Sequence, residues 1–192
     1  MEAVKKIEIN KIFSIILVTL VGSLLLAISS KIKIPFYPVP MTMQTLIVLL
    51  IGIVFGWKLG LATITLYLFE GMIGLPVFAG TPEKGVGLTY FMGPTMGYLI
   101  GFLPAVFFAG LLKINYKYNL IHRFIIVFIF YTFSVSFIYL FGLIWLLNFV
   151  PIEKIWLVGA APFMLAELLK ISILSFFVTL CDKSILSWRS LR

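Results

Sequence analysis

Glu167 and Lys170 are the only charges in an apolar run that extends from Ile155 to Cys181. A charge at the middle of a bilayer costs about 2.5 kcal/mol or more, so an ionisable residue inside such a run is by default a functional-site hypothesis. Three positions apart, the two side chains share one face of a helix. That face must look into a protein interior or a wet cavity. A ligand carrying a carboxylate at one point and polar N–H groups at another suits the pair; so does a self-satisfied ion pair that braces helix packing. Four more residues could complete a binding site. Gln44 offers one acceptor and two donors. Thr42, two positions earlier, is a candidate helix N-cap as well as a candidate ligand contact. Tyr98 and Phe78 present aromatic faces able to sandwich an apolar ring.

The elements that must position these residues are membrane helices. Of 192 residues 62% are hydrophobic and 11% charged, against about 25% charged in soluble domains. Apolar runs bounded by charge, proline and glycine predict an all-α integral membrane protein of six transmembrane helices in a single domain. The predicted spans are 10–30, 42–55, 59–73, 93–112, 123–149 and 155–181. The second and third are short for a hydrocarbon layer of about 30 Å. The first is too long for a typical signal-peptide core, lacks a clean cleavage site and reads as a retained span.

Charge placement orients the bundle. With a cytoplasmic N-terminus, Lys5, Lys6, Lys11, Lys58, Lys113, Lys117, Arg123, Lys183, Arg189 and Arg192 lie inside. Lys31, Lys33, Lys84 and Lys154 lie outside, and Lys170 lies within a span. That asymmetry predicts both termini in the cytoplasm. The outer connections then hold most of the proline. Pro35, Pro38 and Pro40 make 31–41 a stiff extended segment. The link 75–92 mixes Pro76, Pro82 and several glycines with Phe78, Tyr90 and Phe91, the composition of a loop packed over something, such as a lid.

Small residues recur at fourfold spacing in three ladders: Gly93, Gly97, Gly101, Ala105 and Ala109; Gly52, Gly56 and Gly60; Thr19, Ser23 and Ala27. Such faces let helix backbones approach closely in lipid. Most are expected to be internal, and one on a lipid-exposed face would dock another membrane subunit. Pro104 removes the bond to the Ile100 carbonyl and predicts a kink.

Enzyme chemistry finds little to work with. His122 is the one histidine and Cys181 the one cysteine, so no His-rich metal site and no internal disulfide can be assembled. Neither G-x-x-x-x-G-K-[ST] nor G-x-G-x-x-G occurs, so a chain that drove uphill transport with ATP would need another protein as motor. The basic balance carries no aromatic interleaving that would point to nucleic acid.

Three stretches carry a family resemblance. Pro38-Val39-Pro40-Met41-Thr42-Met43-Gln44-Thr45 matches a P-V-P-x-T-x-Q-T pattern. Gly71-Met72-Ile73-Gly74-Leu75-Pro76-Val77-Phe78-Ala79-Gly80 is the second. Gly93-Pro94-Thr95-Met96-Gly97-Tyr98-Leu99-Ile100-Gly101-Phe102 is close to G-P-T-G-G-Y-L-x-G-F. On these the chain resembles the BioY family, the biotin-binding S-components of energy-coupling-factor (ECF) vitamin transporters. The resemblance implies a non-enzymatic plasma-membrane subunit for biotin uptake. It needs no cofactor and works with a transmembrane coupling protein and cytoplasmic ATPases through a small-residue face on the first helix, here Ser23 and Ala27. Biotin held by such a subunit is expected to meet the candidate residues Glu167, Lys170, Gln44, Thr42, Phe78 and Tyr98, with Lys170 on the biotin carboxylate and Glu167 on the ureido N–H groups. The family pattern Asp-x-x-Lys here reads Glu167-x-x-Lys170, Met96 stands where the family has glycine, and Glu70 stands where small or apolar residues are usual. An S-component for another vitamin or biotin precursor, and a stand-alone biotin facilitator, are the alternatives.

Overall fold

The computed structural model describes residues 2–83 and 85–181, and of residues 2–11 the backbone alone. Lys84, Lys183, Arg189 and Arg192, and the side chains of Lys5, Lys6 and Lys11, therefore lie outside the described residues. The chain runs α1 (Glu2–Lys31), β1 (Lys33–Ile34), β2 (Met41–Thr42), α2 (Gln44–Met72), α3 (Leu88–Phe91), α4 (Met96–Leu111), α5 (Leu120–Leu146), α6 (Ile152–Gly159) and α7 (Ala161–Leu180). Among the described residues, four helical stretches are by length and composition able to cross a membrane: Ile12–Lys31, Gln44–Met72, Leu120–Leu146 and Ile152–Leu180. Met96–Leu111 is a shorter apolar helix.

α2 is not one straight rod. Gly56 takes φ 75° and ψ 171° in its middle, a conformation that glycine adopts without the penalty a Cβ brings. Gln44 and Tyr67 are 23 positions apart, which on a straight helix is about 34 Å. Instead the Gln44 amide nitrogen lies 2.7 Å from the Tyr67 hydroxyl. The stretches 44–55 and 57–72 therefore run antiparallel, about 18 and 24 Å long, as two arms reversed at Gly56. This is where the sequence separates two short spans.

The proline segment forms a small hairpin in place of a simple extended strand. β1 pairs antiparallel with β2, Lys33 opposite Thr42 and Ile34 opposite Met41, and the three prolines fall in the connection. The last predicted span breaks at Ala160 (φ −134°, ψ −53°). Pro162 explains the break, because it lacks the N–H that would continue the ladder while fitting the first turn of α7. Pro104 does not interrupt the run of α4 from Met96 to Leu111.

The glycine ladders are internal seams. A Cβ on Gly101 would stand 2.6 Å from the Ile138 Cα and 3.0 Å from the Phe137 carbonyl oxygen, both backbone of α5. One on Gly52 would stand 2.7 Å from the Ala109 Cβ of α4. Gly101→Val forces backbone against backbone, where no rotamer gives relief. It is expected to cost about 3 kcal/mol, seen as a lower thermal unfolding midpoint of the detergent-solubilised protein.

The third ladder also faces inward. Thr19 and Ser23 are buried against α2, Ser23 at 1% exposure, and Ala27 is half-buried. Gly22 brings the two helices together, since a Cβ there would lie 2.6 Å from the Thr63 methyl. Ser23 donates its hydroxyl proton to the Glu70 carboxylate, which gives Glu70 a place in the fold as a polar tie between α1 and α2. The opposite face of α1 carries Ile12, Phe13, Ile16, Leu17, Leu20, Leu24 and Ile28, all exposed.

Candidate functional site

Helix periodicity decides which face of α7 turns inward. Phe163, Glu167, Lys170, Ile171, Leu174, Ser175, Val178 and Thr179 are its buried residues. Glu167 and Lys170 are 5% and 8% exposed in the company of core side chains. Such a pair persists away from water only if both partners are hydrogen-bonded. The Lys170 ammonium donates to the Glu167 Oε1 at 2.7 Å, to the Thr42 carbonyl oxygen at 2.6 Å and to the Thr45 Oγ1 at 3.1 Å. An ammonium has three protons, and all three are placed. The Thr45 hydroxyl donates to Glu167 Oε1 at 2.9 Å. Oε1 is thus held twice, whereas Oε2 is buried without a hydrogen bond. The Tyr139 hydroxyl is the neighbouring polar group.

That unspent carboxylate oxygen belongs to a residue on the wall of a cavity. The cavity holds about 540 Å³ of empty space, counting the part open to solvent, and Glu167, Thr42, Gln44, Thr45, Tyr98 and Tyr139 supply its polar lining. Its composition is that of a small-molecule site, apolar walls with a few polar groups. Phe163, Phe102, Leu99 and Ile138 supply apolar surface, and Val39, Pro40 and Met41 of the proline hairpin close one side. Ala79, Tyr90 and Thr95 come from the 73–95 connection, so both proline-bearing connections reach the cavity, as a lid would. Burial holds the Tyr90 hydroxyl above the usual phenol range, and Thr95 and Gly80 contact it.

Thr42, Gln44, Tyr98 and Glu167 therefore share one chamber. Tyr98 is fixed by donating its hydroxyl proton to the Gly159 carbonyl at 2.8 Å, and its ring packs at right angles to Tyr139 with centroids 6.1 Å apart. Thr42 lies just before the N-cap position, held by Met43, and accepts the Gln44 N–H at 3.4 Å. Lys170 stands behind Glu167, away from the cavity lining. Phe78 stands behind the wall as well, fully buried, stacked on Tyr90 at 4.9 Å and edge-on to Tyr67 at 5.2 Å. Thr45, Tyr139 and Phe163 are lining residues that the sequence reading did not single out. Phe163 precedes Glu167 by four positions, one helical turn, and that spacing was available in the sequence.

Fold and site together define a helical membrane protein with a partly open, mostly apolar cavity beside a buried ion pair. A model of the BioY family matches residues 3–186, and the chain belongs to that family. It is 36% identical over 148 residues to a protein of Pyrococcus horikoshii named "Probable biotin transporter BioY", covering 76% of this chain and 82% of that one. It is 36% identical over 152 residues to the "Biotin transporter BioY" of Thermotoga maritima, covering 77% and 83%. Among solved structures, a crystal structure described as the S-component for biotin from an ECF-type ABC transporter superposes with a TM-score of 0.70. It shares 26% identity and covers 88% of this chain and 91% of that one.

Proposed function

We propose that this chain binds biotin in the chamber beside Glu167 and carries it across the plasma membrane as an S-component. The observation that supports this most directly is Glu167 itself, a buried carboxylate on a residue that lines the cavity, with the Tyr139 hydroxyl as its polar neighbour there. A ureido N–H answers it with a charge-assisted hydrogen bond, stronger than a neutral one. The apolar bicycle then lies among Phe163, Tyr98 and Tyr139. Like-charge repulsion keeps the ligand carboxylate at the far end of the chamber. Because the three Lys170 protons are already committed, its role in this reading is to hold the Glu167 carboxylate in place. Contact with the biotin carboxylate, expected from the resemblance, is the competing role.

The topology in this reading is six crossings with both termini cytoplasmic, the two arms of α2 counting separately. It places Lys58, Lys113, Lys117 and Arg123 at the cytoplasmic end and Lys31, Lys33 and Lys154 at the chamber end. Energy comes from a transmembrane coupling protein and ATPases. α1 is the candidate docking helix, with Ala27 at the edge of its exposed face; Ser23 is engaged by Glu70. Uptake by cells expressing this chain with and without such a module separates energised import from a stand-alone facilitator.

Equilibrium binding of radiolabelled biotin to the purified protein tests the ligand. Saturable binding at one biotin per chain is expected. Desthiobiotin, which keeps the ureido group and loses the sulfur ring, should compete more weakly. Equal competition moves the assignment to a biotin precursor, and no saturable binding removes biotin from the proposal.

A further inference from the structure

A continuous run of hydrogen bonds leaves the ion pair and ends on the loop that roofs the chamber. Lys170 donates to the Thr42 carbonyl at 2.6 Å. The Thr42 hydroxyl donates to the Gln44 Oε1 at 3.2 Å, and the Gln44 Nε2 donates to the Tyr67 hydroxyl oxygen at 2.7 Å. Tyr67 in turn donates to the Val77 carbonyl at 3.0 Å. Val77 lies two residues before Ala79, which lines the chamber. Tyr67 is fully buried, and its hydroxyl is the one atom in the run that joins a chamber-wall side chain to the roof. The Ser30 hydroxyl, at the end of α1, stands 2.7 Å from both the Val77 and the Ala27 carbonyl oxygens, one proton between two acceptors, and has no bond to Gln44.

We propose that Tyr67 is a positioning residue for ligand retention: its hydroxyl clasps the 73–95 loop to Gln44, and the strength of that clasp sets how fast ligand leaves. Opening the roof must break the Tyr67–Val77 bond. Breaking it strands the Tyr67 hydroxyl proton and loosens, through the shared oxygen, the bond that Gln44 donates to Tyr67. Buried donors left without partners are costly, so roof and wall release together. Two surface-side clamps act on the same loop, Lys31 on the Phe78 carbonyl at 2.8 Å and Lys33 on the Ala79 carbonyl at 2.7 Å. They grip the roof from the water side and leave Gln44 untouched.

The inference rests on the biotin reading for its ligand, and its test carries a readout that needs no ligand. In the purified full chain, Tyr67→Phe should release prebound radiolabelled biotin about tenfold faster than the parent. Ser30→Ala, which removes the second hydroxyl from Val77 and leaves Gln44 held, should speed release by about threefold. In a Cys181→Ser background carrying Ala79→Cys, a thiol reagent applied without biotin should label position 79 about tenfold faster when Tyr67→Phe is added. Release and labelling both within twofold of the parent overturn the clasp. Parental labelling in a Tyr67→Phe protein that no longer binds biotin also overturns it, because Tyr67 then serves the wall and not the roof. If the parent itself binds no biotin, the ligand assignment fails and the labelling comparison alone decides the clasp.

Discussion

Glu167→Gln is expected to weaken biotin binding by about 100-fold or more while the protein remains folded. The substitution keeps the shape of the side chain and removes its charge. One carboxylate oxygen becomes an amide nitrogen, a donor, which cannot accept a ureido N–H. If the remaining oxygen keeps its bonds from Lys170 and Thr45, it is the chamber-side acceptor that is lost. A charge-assisted hydrogen bond contributes about 1.5–3 kcal/mol, and a buried ligand N–H left without a partner adds its own desolvation cost. Together these give a factor of about 100. Titration of labelled biotin, with the unfolding midpoint measured in parallel, checks the result. Affinity within threefold of the parent would take the ligand away from Glu167.

The ion pair could be found in the sequence because apolar surroundings make any charge conspicuous. Glu167 and Lys170 are two polar side chains in a run that otherwise looks like lipid-facing helix, and their spacing alone put them on one face. The glycine ladders could be read for the same reason, since fourfold spacing of small residues has few uses in a bilayer besides close packing. Other features depended on tertiary contact. That Ser23 points at Glu70 is a property of how α1 crosses α2, and no periodicity within α1 distinguishes an inward ladder from an outward one. The reversal at Gly56 falls in the gap between the predicted spans 42–55 and 59–73, but the positive φ that makes it is a backbone fact. Phe78 and Tyr98 looked equivalent as aromatics near prolines and glycines. One stacks behind the wall on Tyr90, and the other lines the chamber because its hydroxyl is caught by Gly159.

Tyr139 illustrates a different blind spot. It sits in α5 among phenylalanines, on a helix apolar nearly all round, and nothing in its neighbourhood announces a polar task. Only the approach of α7, which brings Glu167 beside it, gives the hydroxyl a role. Polar groups of this kind are specified jointly by two helices. A single helix pattern cannot reveal them, whereas a carboxylate in an apolar run demands an explanation by itself.

Lys170→Met is expected to lower stability by about 3–5 kcal/mol, because it leaves the Glu167 carboxylate buried and uncompensated. The double variant Glu167→Gln/Lys170→Met should recover most of the lost stability and none of the lost binding. The unfolding midpoint and labelled-biotin affinity, measured on both single variants and the double, report the two effects separately. Biotinamide, which lacks the ligand carboxylate, then decides what Lys170 does. If Lys170 acts only by holding Glu167, Lys170→Met weakens biotin and biotinamide by the same factor. If its ammonium meets the ligand carboxylate, biotinamide already binds weakly to the parent and loses little more in the variant. The three ammonium protons spent on Thr42, Thr45 and Glu167 favour the first outcome. A Lys170→Met protein with parental stability and parental affinity would show that the buried pair neither braces the bundle nor serves the ligand.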